Sequence, residues 1–138
     1  KEILRGQISP NKQTISPVIK PQDIIHAREV VKEVYIDSKI ENYITDIVFA
    51  TRFPEEYGMN NLKSFISYGA SPRATINLAL ASRALAFIKR RGYVIPEDVR
   101  EVCLDVLRHR IGLTYEAEAE NIKSEDIATE IVNKIDVP

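Results

Sequence analysis

Tryptophan is missing from this 138-residue sequence, and cysteine and methionine occur once each. The single thiol, Cys103, cannot close a disulfide within the chain, so nothing marks an oxidising compartment. No run approaches the ~18 consecutive apolar residues of a membrane-spanning helix, and no charged-then-apolar leader opens the chain. An excess of one charge is lacking as well. Nineteen Lys and Arg face 20 Asp and Glu, for a net charge of −1, which speaks against a domain built to wrap nucleic acid. A cytoplasmic protein is the expectation, with neither membrane nor nucleic acid among its partners. What is present is 44% apolar and 28% charged residues, the ordinary balance of one globular domain that can bury roughly two-thirds of its unfolded surface.

Residues 1–20 carry two Ser-Pro steps and no sustained helical period, the pattern of a linker in which SPVI has room for a short strand. The chain opens on Lys1, and its first helix signal waits until about residue 21. That reads as a piece of a longer protein, with a linker over 1–20 and a helical domain over 21–138. From Pro21, Ile24, Ala27, Val31 and Val34 share one helical face. Asp37 or Ser38 can cap a second helix, Ser38 with Glu41 as a capping box, and Ile40, Tyr43, Ile44, Ile47 and Val48 form its stripe. Residues 54–70 hold no long period, although NLKSFISY has the length for one or two helical turns.

The most apolar helix is expected from Pro72 to about Arg91, with Ile76, Leu80, Ala84, Phe87 and Ile88 as its buried face and Gly92 to stop it. Pro96 restarts a helix whose stripe is Val99, Val102, Cys103, Val106 and Leu107. RIGLT reads as a short strand and YEAEAEN as a solvated turn. Ser124 then caps a last helix marked by Ile127, Ile131 and Ile135. The expectation is an all-α bundle of about five helices, with room for one very short β pair and no βαβ alternation or internal repeat.

Arg73 is the residue that local rules explain least. In GASPRA, Ser71 stands as an N-cap, Pro72 as the first helical residue and Arg73 as the second. A cation there opposes the helix dipole by about 0.3–1 kcal/mol, whereas the first helical N–H groups and a guanidinium together suit a phosphate. Gly69-Ala70-Ser71 opens like the elbow of a serine hydrolase, but Arg73 stands where that motif has glycine, and Pro72 has no N–H to lend to an oxyanion hole. A metal would have to use His26, Cys103 and His109, and the six-residue step from Cys103 to His109 puts them on different helix faces. Lys89-Arg90-Arg91 and Arg108-His109-Arg110 fall at helix C-termini, where the dipole favours cations.

The stretch YGASPRATINLALASRALAFIKRRGYVIPEDV resembles the C-terminal lid domain of MoxR-type AAA+ ATPases, as do VVKEVYIDSKIENYITDIVFATR before it and VLRHRIGLTYEAEAENIKSEDI after it. The resemblance implies an upstream ATPase core with a phosphate loop, a Walker B acid and Mg²⁺; no G-x-x-x-x-G-K-[ST] lies in this sequence. It implies Arg73 as the second-sensor arginine reaching the γ-phosphate of ATP, with Ser71 and Pro72 fixing where its helix begins. It also implies a homo-oligomeric ring, a chaperone-like role in protein maturation, and partners carrying von Willebrand factor A domains. Ile95 departs from the Thr or Ser the family has before the proline, a helix start expected to be weaker by ~1 kcal/mol. The competing class is a non-catalytic helical interaction module in which Arg73 is incidental.

Overall fold

A computed structural model describes residues 16–138. Among them run α1 (Pro21–Lys32), α2 (Ser38–Ala50), 3₁₀ turns at Pro54–Tyr57 and Asn60–Leu62, β1 (Ile66–Tyr68), α3 (Pro72–Ile88), α4 (Pro96–Leu107), β2 (Gly112–Leu113), α5 (Tyr115–Ala119) and α6 (Ser124–Lys134). The fold is an all-α bundle with one very short β pair, as expected. Residues 16–20 form a bend and not the SPVI strand; the rest of the expected linker lies outside the described residues.

The helix starts share a device that the sequence reading missed. In α1, α4 and α6 the N-cap residues are Lys20, Ile95 and Lys123, and none caps through its side chain. Instead an Asp at the third helical position reaches back to the N-cap N–H: Asp23 at 2.8 Å, Asp98 at 3.1 Å and Asp126 at 2.9 Å. This supplies one half of a capping box and puts a negative charge at the positive end of the dipole. Ser124 is therefore not the cap of α6; its hydroxyl donates to the Arg108 carbonyl at 2.8 Å and ties the preceding loop down. In α2 the cap is Asp37, which accepts from the Lys39 N–H at 2.9 Å, so the Ser38–Glu41 box does not form.

The stripes expected for α2, α4 and α6 point inward. Ile40, Tyr43, Ile44, Ile47 and Val48 are buried, as are Val99, Cys103 and Leu107, and Ile127, Ile131 and Ile135. In α1 Val34, just past the helix, is buried, but Ile24 is exposed. YEAEAEN is not a solvated turn. Thr114 caps it into the short α5, its hydroxyl accepting from the Ala117 N–H at 3.2 Å, and Ala117 is buried. NLKSFISY divides between a 3₁₀ turn and β1, which pairs antiparallel with β2 through Ile66 with Leu113 and Tyr68 with Gly112.

The largest correction concerns α3. Ile76, Leu80 and Ile88 are 60, 46 and 72% exposed, and Phe87 is exposed too. The buried positions are Ala74, Leu78, Ser82 and Ala86, each four residues from the last. α3 packs against α4, α2 and α1, and at the centre of a bundle a row with three small side chains around Leu78 lets neighbouring helices approach closely. Apart from Leu78, the large apolar side chains Ile76, Leu80 and Phe87 stay on the outer face. The helix also ends three residues earlier than expected, and Gly92 does not stop it. Arg90 takes the left-handed conformation (φ 59°), and the Arg91 N–H bonds to the Ala86 carbonyl at 2.9 Å, the closing bond of a Schellman turn.

Candidate functional site

α3 begins on a loop clamped to the end of α2. The Thr51 hydroxyl, fully buried, donates to the Val48 carbonyl at 2.7 Å and accepts from the Ala70 N–H at 2.9 Å. Gly69 passes so close to the same place that a Cβ on it would lie 2.3 Å from the Thr51 carbonyl oxygen and 2.8 Å from the Arg52 Cα. Nothing larger than glycine fits. The Arg52 guanidinium reaches the Ala70 carbonyl at 3.4 Å from the outside.

One residue on, Ser71 holds the N-cap position in extended conformation, as expected, but its hydroxyl caps nothing. The Ala74 N–H is taken by the Ser71 carbonyl at 2.8 Å, and Pro72 has no N–H to give. Among the described residues the Arg73 N–H has no partner, and the exposed Arg73 guanidinium joins no ion pair. The Ser71 hydroxyl, the unpartnered Arg73 N–H and the Arg73 guanidinium thus all belong to the first turn, the positive end, of a 17-residue helix. Such a set can grip an oxyanion.

Several other cations are committed to partners within the fold. Asp98, fully buried, accepts from Arg91 at 2.7 and 2.5 Å and from Lys89 at 3.4 Å, and Lys89 also pairs with Glu101 at 2.5 Å. Two members of the basic run after α3 therefore lock that helix to the start of α4. Burial pushes the Asp98 carboxyl up, but Arg91, the Ile95 N–H and Lys89 outweigh it and hold it below its ordinary 3.8. Sequence reasoning missed this knot; its signal was the Asp two residues after Pro96. Arg108 pairs with Asp105, and Arg100 grips the end of α6 through the Val132 carbonyl at 2.9 Å.

The remaining candidates are not brought together. His26 and His109 are exposed, while Cys103 is buried, its thiol pushed up to about 12 by that burial. Among the described residues no cluster of His, Cys, Asp and Glu could hold a metal, and no helix is long and apolar enough to cross a membrane.

A model of the AAA lid domain family matches residues 60–131, and the chain belongs to that family. It is a lid of the MoxR type. Chaperone MoxR1 of Mycobacterium tuberculosis is 40% identical over 121 residues, 88% of this chain, and protein YeaC of Bacillus subtilis is 36% identical over 126 residues, 91% of this chain. The chain spans 32 and 37% of the lengths of those two relatives. The crystal structure of a candidate ATPase from Cytophaga hutchinsonii superposes with a TM-score of 0.93 at 42% identity, covering 99% of this chain and 42% of that one.

Proposed function

We propose that this chain works as the nucleotide-responsive lid of a MoxR-like AAA+ ATPase, with Arg73 supplying a second-sensor cation to the γ-phosphate of ATP held in the core domain. The observation that carries the reading is the unpaired guanidinium in the first turn of α3, where an N–H has no partner and a hydroxyl serves no cap. A triphosphate carrying several negative charges reverses the sign of the dipole term that otherwise disfavours a cation there. Mg²⁺ and the phosphate cradle belong to the core. This chain contributes charge, aim and movement.

The outer face of α3 supports the same reading. Arg73, Ile76, Leu80, Arg83 and Phe87 fall within an arc of about 80° on a helix turning roughly 100° per residue, opposite the buried Ala74–Leu78–Ser82–Ala86 row. The face that presents Arg73 to a phosphate therefore also presents apolar side chains to the domain holding that phosphate. Beside it lies an open groove of about 340 Å³ lined by Ile36, Glu41, Ile44, Ile76, Leu80 and Arg83. In this reading ATP bridges core and lid, hydrolysis releases the bridge, and the angle between the domains changes. In an oligomeric ring in the cytoplasm, each such change moves a neighbour, the motion a chaperone-like machine would use on a client. Partners with von Willebrand factor A domains rest on family resemblance alone.

Arg73→Ala in the full-length protein tests this. Turnover falls on the order of a hundredfold, as when other charge-stabilising donors are removed, and Arg73→Lys recovers part of it because the charge stays while the bidentate fork is lost. An interaction module with an incidental arginine keeps its full turnover in both variants.

A further inference from the structure

The loop that opens α3 is held by a residue just past the end of another helix. Thr51, the residue after α2, is 19 positions before Ala70 in the chain, yet its buried hydroxyl holds the Ala70 N–H at 2.9 Å while donating to Val48 at 2.7 Å. A hydroxyl has one proton to give. With that proton committed to Val48, the lone pairs face Ala70, so the bond fixes both partners and its direction. Gly69 brings the loop within contact of the Thr51 carbonyl from the other side, and a Cβ would not fit. Ala70 is itself fully buried, so no water satisfies its N–H when the hydroxyl is gone. Arg73 stands three positions after the clamped Ala70.

We propose that Thr51 is a positioning residue for the arginine: the Thr51–Ala70–Gly69 clamp sets where α3 starts and hence where the Arg73 guanidinium points, so that phosphate sensing depends on a hydroxyl that never touches nucleotide. The inference rests on the role of Arg73 given above. It adds that a residue at the end of α2 belongs to the same functional unit. A misplacement of about 1 Å at a reacting charge is enough to lose much of its effect.

The test is a double-mutant cycle in the full-length ATPase. Thr51→Val keeps the shape and removes the hydroxyl; Thr51→Ser keeps the hydroxyl. Turnover and the ratio of ATP to ADP affinity are measured for each, alone and combined with Arg73→Ala, with thermal unfolding followed in parallel. The expected result is a loss of turnover on the order of tenfold in Thr51→Val, a narrowed ATP-over-ADP preference, and near-complete rescue in Thr51→Ser. In the Arg73→Ala background, Thr51→Val costs no further turnover, because the cation it aims is already gone. Should Thr51→Val not fold, Thr51→Ala, which also removes the hydroxyl, carries the same comparison. Equal losses from Thr51→Val with and without Arg73 overturn the inference, since a general weakening of the fold acts in both backgrounds. Unchanged turnover in Thr51→Val overturns it as well. Full activity in Arg73→Ala alone is a separate outcome: it removes the arginine's role and this inference with it.

Discussion

At the scale of single residues, two charges sit where simple rules place them poorly, and each has its own resolution. Arg73 opposes the dipole of its helix and was legible for that reason, because a residue that contradicts its local setting asks for a partner from outside. Asp98 is a fully buried carboxylate, and its resolution lies within the fold, in the fork of Arg91 and the Lys89 ammonium. No local pattern in the sequence pairs residues 91 and 98, since the contact exists only once α4 folds back beside α3. Removing one partner of a buried pair leaves the other charge stranded, so Asp98→Asn is expected to cost about 3 kcal/mol of unfolding free energy. The pH dependence carries a second signature. A carboxyl held below its ordinary 3.8 gives its stabilisation in full above that value and loses it as the pH falls through the lowered one. Denaturant unfolding of the two proteins from pH 7 down to pH 2 checks this: their difference is constant at neutral pH and shrinks only at the acid end. A gap that stays level down to pH 2 would deny the pairing its part.

At the scale of elements, amphipathic helices with large inward residues were readable, and the helix whose inward face is mostly small was not. Periodicity places apolar residues on a face, but for α3 it does not say which of two faces is the inner one. Size favours Ile76, Leu80 and Phe87; packing decides for Ala74, Leu78, Ser82 and Ala86, because closeness of approach between helices outweighs the area of one side chain. Leu78→Ala is therefore expected to cost about 2–5 kcal/mol, and Ile76→Ala, two residues away on the outer face, less than about 1. Paired thermal melts of the domain check the order, and the reverse order would restore the face expected from sequence. The start of α4 makes a related point. Ile95 lacks the side-chain cap that the family has there, yet Asp98 covers the Ile95 N–H, so the Asp two residues past the proline carries part of the load assigned to the cap.

At the scale of the whole molecule, the all-α architecture was legible because helix-period stripes and short connections dominate the sequence. The pairing of β1 with β2 was only half so, since strands of three and two residues carry no period of their own. The exposed apolar face of α3, continuous with Arg73, is a large-scale feature with a measurable fate. A thiol placed on it reports whether the face turns toward the ATPase core. Leu80→Cys in the full-length protein is expected to react with a maleimide several-fold more slowly when ATP is bound than when the site is empty, while Cys103, buried and with its thiol pushed up to about 12, contributes no background. Equal rates in both states would mean that the face does not follow the nucleotide.

The Asp98 knot gives α3 a property that neither end has alone. A 17-residue helix is about 25 Å long, with the Arg73 cation at one tip and a three-charge weld to α4 at the other. A rod pinned at its base and welded at its far end cannot bend the signal away. A rotation of about 10° about the Arg73 tip would become a stroke of about 4 Å at residues 89–91, and α4, with α6 packed on it, would share it.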